Sequence, residues 1–326
     1  MKAVYRLERP AQEPSEGKDL ALRGLRVLMG GPEREDGSAR GGAEEAERIE
    51  RFLAYAKSAQ LETRRQVLAF EKSDDGRERV AGMCLWVPAR GKSAMLFAPP
   101  LSEYPESADA TQAAIVAALA DARQAGLGIV QAILEPSDAA GKTIFAAAGL
   151  ARLATLAYME RKPPGSVPDA AEMELPAEYR VEHYRPATHG LFREAIERSY
   201  EGTLDCPLLA GMRDIEDAIE GHKGVGIFDA AMWSVVLAGE KVAGCLLLAE
   251  IPQRNGLELV YLGLAPEARG KGLGRILMKR LLAVATRRHF DVATLAVDAG
   301  NVSAVRLYRR CGYAKVAERV AMVARL

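Results

Sequence analysis

Six consecutive residues, Arg269-Gly270-Lys271-Gly272-Leu273-Gly274, have the composition of a phosphate cradle. They open a stretch in which Leu273, Leu277, Leu281 and Val284 recur at helical spacing. The first turn of a helix leaves backbone N–H groups without acceptors and carries partial positive charge, and a phosphate group answers both. Gly270, Gly272 and Gly274 let the backbone come close to a ligand, and Arg269 and Lys271 add charge. Glycine-rich turns also precede helices for packing reasons alone, so the loop by itself leaves that role open. Two other phosphate motifs are excluded. Gly270-Lys271 is followed by Gly272 rather than Ser or Thr, and Gly141-Lys142-Thr143 has Pro136 where a Walker A loop requires glycine. The GxGxxG spacing of a dinucleotide fingerprint is also absent from the loop.

The elements that must position this loop are legible on both sides of it. Leu257 to Leu264 reads as a strand running into the loop, and Leu273 to Arg288 as the amphipathic helix running out of it. Asp291 to Val297 is a further strand. Val302 to Cys311 is a helix ended by Gly312, and Tyr313 to Arg325 supplies the last strand. Upstream, Tyr179 to Tyr184 alternates like a strand, and Leu191 to Tyr200 and Met212 to Gly221 read as helices. Met232 to Ala238 and Lys241 to Ile251 read as a hairpin turning at Gly239-Glu240.

The same order of elements occurs once before. Phe145-Ala146-Ala147-Ala148-Gly149-Leu150 stands 163 residues ahead of Tyr308-Arg309-Arg310-Cys311-Gly312-Tyr313, half of the 326-residue length. The flanking strands keep step: Ile129 to Leu134 with Val292 to Val297, and Leu153 to Tyr158 with Val316 to Ala321. A period this long means a duplicated domain. Pro163 to Pro176 is proline-rich and reads as the linker, giving domains at 1–162 and 178–326 with 163–177 between them. Gly30 to Ala46, rich in glycine and charge, reads as a mobile loop.

Composition narrows the function classes. Hydrophobic residues make up 49% and charged residues 27%, an ordinary globular balance. Lys+Arg and Asp+Glu are equal at 44 each, so the basic surplus of a nucleic-acid binder is missing. The N-terminal stretch Met1 to Arg9 is interrupted by charge too often for a signal peptide. The longest apolar stretch, Trp233 to Ala249, is broken by Glu240 and Lys241, which argues against a membrane span. The expectation is a cytoplasmic chain. Cys84, Cys206, Cys245 and Cys311 have no CxxC spacing, and with four scattered histidines no metal site is expected.

The run Arg269-x-x-Gly272-x-Gly274, preceded by Leu262-Gly263-Leu264-Ala265-Pro266, resembles the acetyl-CoA signature of the GNAT superfamily of N-acetyltransferases. Asn301 and Leu307-Tyr308-x-x-x-Gly312-Tyr313 match that family's closing motif, and the resemblance covers about residues 178–326. It implies an α/β (α+β) fold of two GNAT-like domains, each a mixed, largely antiparallel central sheet flanked by helices. It implies that Arg269, Gly270, Lys271, Gly272, Leu273 and Gly274 hold the CoA pyrophosphate, and that Leu262, Gly263 and Leu264 pair with the pantetheine arm. Gly263 fits the strand bulge expected there. It further implies that Asn301 contacts the cofactor and that Tyr308 is the general acid for the departing thiolate, an effect of ~10²–10⁴-fold. Glu258 stands where some histone-acetylating members carry a catalytic base; a surface glutamate is the other reading of it. Ala296 occupies the alternative base position.

In the family the first two helices help shape the acceptor site. Here Arg193 to Glu220 is predominantly acidic, which suits a cationic amine, and Tyr200 and Asp205 in the loop after the first helix are the candidate acceptor contacts. Cys206 has no visible histidine partner for a nucleophilic role. In the first half, Glu106 takes the place of Arg269, Phe145 that of Tyr308 and Asp138 that of Asn301. That half is therefore expected to keep the fold without a working cofactor site and to help wall the acceptor. Some tandem members, mycothiol synthase among them, share this plan. The expected function is transfer of an acetyl group from acetyl-CoA to a small-molecule or peptide amine, with no metal. The alternative is a non-catalytic acyl-CoA sensor or scaffold.

Overall fold

The computed structural model describes residues 5–11, 17–40, 42–58 and 61–326. In chain order the elements are β1 (Arg6–Glu8), α1 (Lys18–Gly30), α2 (Ala43–Ser58), β2 (Gln66–Lys72), β3 (Glu78–Ala89), β4 (Ser93–Phe97), α3 (Ala108–Gln124), β5 (Ile129–Leu134), α4 (Ala139–Ala147) and β6 (Ala151–Arg161). They continue with α5 (Ala170–Met173), β7 (Tyr179–His183), α6 (His189–Tyr200), α7 (Ile215–Lys223), β8 (Ile227–Ala238), β9 (Lys241–Ile251), β10 (Gly256–Leu264), α8 (Leu273–Arg287), β11 (Val292–Asp298), α9 (Val302–Arg310) and β12 (Ala314–Arg325).

The chain divides into two compact units, residues 1–152 with 320–326, and residues 153–319. In the first, the strands run β1-β2-β3-β4-β5-β12, antiparallel throughout except for the parallel β4–β5 pair. In the second, they run β7-β8-β9-β10-β11-β6, again antiparallel except for β10–β11. Each unit is thus a mixed, largely antiparallel sheet flanked by helices. The 163-residue offset carries α4 onto α9 residue for residue, and β5 onto β11 and α3 onto α8 to within two residues at each end. Asp138 and Asn301 cap the matching helices α4 and α9 with their side chains.

The sequence-based boundaries differ from these units in one respect. Residues 153–161 of β6, expected to close the first domain, pair with β11 in the second unit, from Leu156↔Asp298 to Arg161↔Ala293. Residues 320–325 of β12, expected in the second domain, pair with β5. The two strands are equivalents in the repeat, so each completes the sheet of the other copy. Equivalent strands offer the same ladder and the same apolar face, which is why periodicity along the chain cannot tell which sheet they join.

The segment read as a mobile loop, 30–46, is shorter than expected. Helix α1 runs to Gly30, α2 begins at Ala43, and Gly41 lies outside the described residues. Glu33 in this segment is buried, holding Arg23 at 2.6 Å and the Val80 N–H at 2.7 Å. The expected linker contains the short helix α5, tied to α8 by a Lys279–Glu172 ion pair and by Arg280 Nε donating to the Met173 carbonyl at 2.9 Å.

In the second unit one sheet face packs under α8 and α9 through Leu257, Leu259, Leu295, Val297, Leu277 and Leu281. The other packs under α6 and α7 through Phe192, Ile196, Ile219, Trp233, Val235 and Leu247. Among the described residues no helix is long and apolar enough to cross a membrane.

Candidate active site

Strands β10 and β11 pair only from Gly256↔Val292 to Leu259↔Leu295. Beyond that rung both continue, but with other partners: β10 with β9 as far as Leu264↔Gly244, and β11 with β6 as far as Asp298↔Leu156. The two strands therefore part in mid-sheet, and the β10 backbone after Leu259 has no ladder partner on the β11 side. A backbone edge of this kind accepts an extended ligand as if it were another strand.

The divergence has a local cause. The β9–β10 register shifts between Leu259 and Tyr261, so Val260 is the extra residue of a bulge. Leu259 and Leu262 face the α8–α9 core, whereas Val260 and Tyr261 both pack on the α6–α7 side, as a bulge requires. The bulge expected at Gly263 is thus three residues upstream, and Gly263 stays in register opposite Cys245. The glycine serves another purpose. A Cβ there would stand 2.6 Å from Ser199 Oγ and 2.6 Å from the Tyr261 ring. Ser199 occupies that space, donating to the Ile196 carbonyl and sharing a 2.7 Å hydrogen bond with the Tyr261 hydroxyl.

After β10 the chain makes a short turn at Pro266–Ala268 and enters the glycine loop. Gly270 and Gly272 have φ of 74° and 81°, a left-handed conformation costing an L-residue roughly 1–2 kcal/mol, and open space lies where their side chains would be. Gly272 is the N-cap of α8 and supplies no side-chain cap. The N–H groups of residues 270–274 find no acceptor among the described residues. Five unbonded donors, those of Gly270, Lys271 and Gly272 on exposed residues, at the positive end of a fifteen-residue helix fit a pyrophosphate. Gly274 has a different reason: a Cβ there would be 3.0 Å from Leu307, so it allows α8 and α9 to pack closely.

Arg269 is not aimed into this cradle. Its guanidinium donates to the carbonyls of Leu264 at 3.1 Å, Gly202 at 3.3 Å and Ser199 at 3.0 Å. It thereby caps the C-terminal end of α6 and ties the loop to the α6–α7 connection. Its charge stays at the start of the loop, unpaired with any carboxylate among the described residues, and Lys271 beside it is exposed.

Asn301 caps α9, its Oδ1 accepting from Ala304 N–H at 3.2 Å and Ser303 Oγ at 2.9 Å. Tyr308 lies one to two turns on, 7% exposed. Burial, with Asp205 and Cys311 nearby, pushes its phenol far above the ordinary value, and its hydroxyl forms no hydrogen bond among the described residues. It stays protonated at any physiological pH.

Glu258 alternates with Leu257 and Leu259 and therefore points to the other face of the sheet, the α6–α7 side. It occupies the last rungs before the strands part, and its Oε2 accepts from the hydroxyl of Thr294 directly opposite. Burial raises its pKa above the ordinary 4.5, opposed by the Thr294 hydrogen bond and by Arg254. On the same face Ala296 is exposed and pairs with Tyr158 of β6, whose phenol is raised by burial and senses Glu258.

Above this face the expected Tyr200 is joined by Tyr261 and His222, which the sequence reading did not single out. Tyr261 stacks on His222 with centroids 5.1 Å apart and meets Tyr200 edge-on at 6.3 Å. The His222 Nε2 is buried without a partner, although the residue as a whole keeps some exposure, and burial lowers its pKa to about 3. The nearby Arg213 charge adds to the lowering at His222. The bulge brings Tyr261 to this side; strict alternation along β10 would have turned it away.

Asp205 Oδ1 accepts the Asp298 N–H at 3.0 Å, and Asp298 Oδ2 accepts the Cys206 N–H at 3.3 Å. This two-way clasp fixes the α6–α7 connection to the end of β11. Burial pushes the Cys206 thiol up to about 12, so it is no nucleophile. No group of His, Cys, Asp and Glu among the described residues could hold a metal ion.

The first unit has none of this apparatus at the equivalent place. Helix α3 follows Pro105–Ser107 without glycines, Glu106 pairs with Arg40 at 2.8 Å, and the Tyr104 ring lies against Gly31, where an added Cβ would be 2.4 Å from it. Phe145 is fully buried.

Residues 194–313 match the model of the acetyltransferase (GNAT) family. An N-acetylaspartate synthetase of Xenopus tropicalis is 29% identical over 113 residues, 35% of this chain and 40% of that protein. A mycothiol acetyltransferase of Kineococcus radiotolerans is 32% identical over 186 residues, 56% of this chain and 58% of that protein. The matched stretch thus spans about two fifths and three fifths of these relatives' lengths. Among solved structures, a GCN5-related N-acetyltransferase from Sphaerobacter thermophilus aligns over 98% of this chain and 95% of its own, with a TM-score of 0.56 and 17% identity, a likeness of fold.

Proposed function

We propose that this chain is a tandem-domain member of the GNAT superfamily and an N-acetyltransferase that moves an acetyl group from acetyl-CoA to an amine, with the chemistry in the second unit. The observation that carries this reading is the parting of β10 from β11 beside a glycine loop with five unbonded N–H groups. An extended thioester with a pyrophosphate at one end needs both features.

In this reading the N–H groups of Gly270 to Gly274 hold the pyrophosphate, with Lys271 adding charge. The free edge of β10 at Leu262, Gly263 and Leu264 pairs with the pantetheine arm. Asn301, by capping α9, positions Tyr308. Acetyl-CoA supplies a thioester carbonyl, from which an amine displaces a thiolate. Glu258 takes the amine's proton on the α6–α7 face, directly or through water; its raised pKa makes it a better base than an ordinary carboxylate. Tyr308 keeps its proton. A thiol ionises near about 8.5, well below the Tyr308 phenol, so complete transfer to the thiolate is uphill, and the hydroxyl acts best as a hydrogen-bond donor to the sulfur as charge develops.

The acceptor enters on the α6–α7 face, walled by Tyr200, Tyr261 and His222, with Asp205 holding the connection in place. Tyr158 lies on this face, although it belongs to the first half of the sequence. The first unit, lacking the loop, does not bind acetyl-CoA. Free-thiol release from acetyl-CoA, followed across a panel of amines with the product's mass determined, tests the activity; binding of acetyl-CoA without turnover of any amine would favour a sensor. Calorimetry should give one acetyl-CoA per chain, and two would overturn the assignment of the site to the second unit alone.

A further inference from the structure

On the sheet face under α8, away from the glycine loop, is a cavity of about 660 Å³. Its floor is formed by Val181, Met232, Leu246 and Leu248, its wall by α8, and its roof by α5. The size is that of a small-molecule site, and the lining is largely aliphatic.

Besides Glu174 and His183, two arginines and a serine interrupt that lining, and none of the three is ion-paired among the described residues. Arg280 and Arg287 stand seven residues apart on α8, on one helix face with Ala283 and Val284 between them. Arg280 is partly buried and gives only its Nε–H, to the Met173 carbonyl; neither arginine has a carboxylate partner, and Glu174 on the same lining pairs with neither. Burial lowers the Arg280 pKa, and no acidic neighbour offsets it. Ser234, on the floor, is 8% exposed and its hydroxyl forms no hydrogen bond among the described residues. By contrast, Lys279 and Arg288, on either side of the cavity, are both ion-paired.

We propose that this cavity is a second ligand site, which takes a small carboxylic acid with an aliphatic body. The guanidinium groups match a carboxylate in charge and fork geometry, the aliphatic floor covers the body, and Ser234 takes the remaining hydrogen bond. At 1.5 Å per residue along α8, Arg280 and Arg287 lie roughly 12 and 22 Å from Gly272, so the site is separate from the pyrophosphate cradle. Its floor strand β9 is hydrogen-bonded to β10, with Leu246 opposite Leu262 and Leu248 opposite Leu259. The site does not depend on the proposed transferase reaction.

The test uses decanoate as the probe, titrated into the full chain by calorimetry with and without saturating CoA. One decanoate per chain is expected, with the same affinity in both conditions and at least tenfold weaker binding of decanol. Arg280→Met should weaken decanoate at least tenfold, and Arg287→Gln, an exposed position without bonds to lose, at least threefold should the first variant fail to fold. Ser234→Ala should weaken it about threefold. No binding by the wild type, displacement by CoA, equal affinity for decanol, or undiminished affinity in folded Arg280→Met and Arg287→Gln variants would each overturn the proposal.

Discussion

Asp205 and Asp298 clasp the α6–α7 connection to the end of β11: the Asp205 carboxylate accepts the backbone N–H of Asp298 at 3.0 Å, and the Asp298 carboxylate accepts that of Cys206 at 3.3 Å. Burial raises the Asp205 pKa; the hydrogen bond from the Asp298 N–H opposes this, and the Asp298 charge adds to it. The clasp places the α6–α7 connection at the point where β10 and β11 have already parted.

An amide can accept the same N–H without the charge. Asp205→Asn should therefore leave Tm at or above the wild-type value and kcat/KM for the acceptor within about threefold, whereas Asp205→Ala strands a backbone donor at a cost of about 1–3 kcal/mol and raises the acceptor KM. Thermal unfolding and acceptor titrations read both. A tenfold or larger loss of kcat/KM in Asp205→Asn would mean that the charge itself contacts the amine.

Gly272 sits at φ 81°, where a β-branched residue is strained, and its N–H belongs to the cradle. Gly272→Val should abolish measurable acetyl-CoA binding by calorimetry while the far-ultraviolet spectrum stays native. Gly274→Ala should instead reduce stability, because a Cβ there presses on Leu307 at 3.0 Å. Retained affinity in folded Gly272→Val would remove the cradle from consideration.

Tyr308→Phe keeps the ring that fills the core and loses only the hydroxyl. We expect kcat to fall about 10²–10³-fold with acetyl-CoA affinity unchanged. The wild-type profile should show no loss of rate with rising pH that can be assigned to Tyr308 below pH 10, since burial holds its phenol protonated. Unchanged turnover would exclude the residue from the reaction.

The base must be deprotonated to act, so activity should rise with pH through the Glu258 pKa and level off above it. Burial puts that pKa above the ordinary 4.5, and Thr294→Val, which removes a hydrogen bond to the carboxylate, should move the acidic limb of kcat/KM to still higher pH. Glu258→Gln should eliminate that limb and lower the rate. An acidic limb unmoved in both variants would mean that another group takes the proton.

Much of this was legible along the chain. The helix after the glycine loop, the hairpin at Gly239-Glu240 and the 163-residue repeat all depend on neighbours within a few residues, or on a pattern of apolar positions, which sequence records directly. The loop's role as a ring of unpaired donors also follows from local chemistry. The fold class came from the family resemblance that these residues carry.

What tertiary structure decided are the choices between partners that look alike in one dimension. Strands β6 and β12 are copies with the same alternation, and only packing determines that β6 closes the second unit's sheet and β12 the first's, bringing Tyr158 to Ala296. The bulge stands at Val260 and not at Gly263, because a shift in register is a property of two strands at once. Arg269 faces the Ser199 carbonyl in the last turn of α6, its charge drawn to a helix end that lies 70 residues earlier in sequence and is near only after folding.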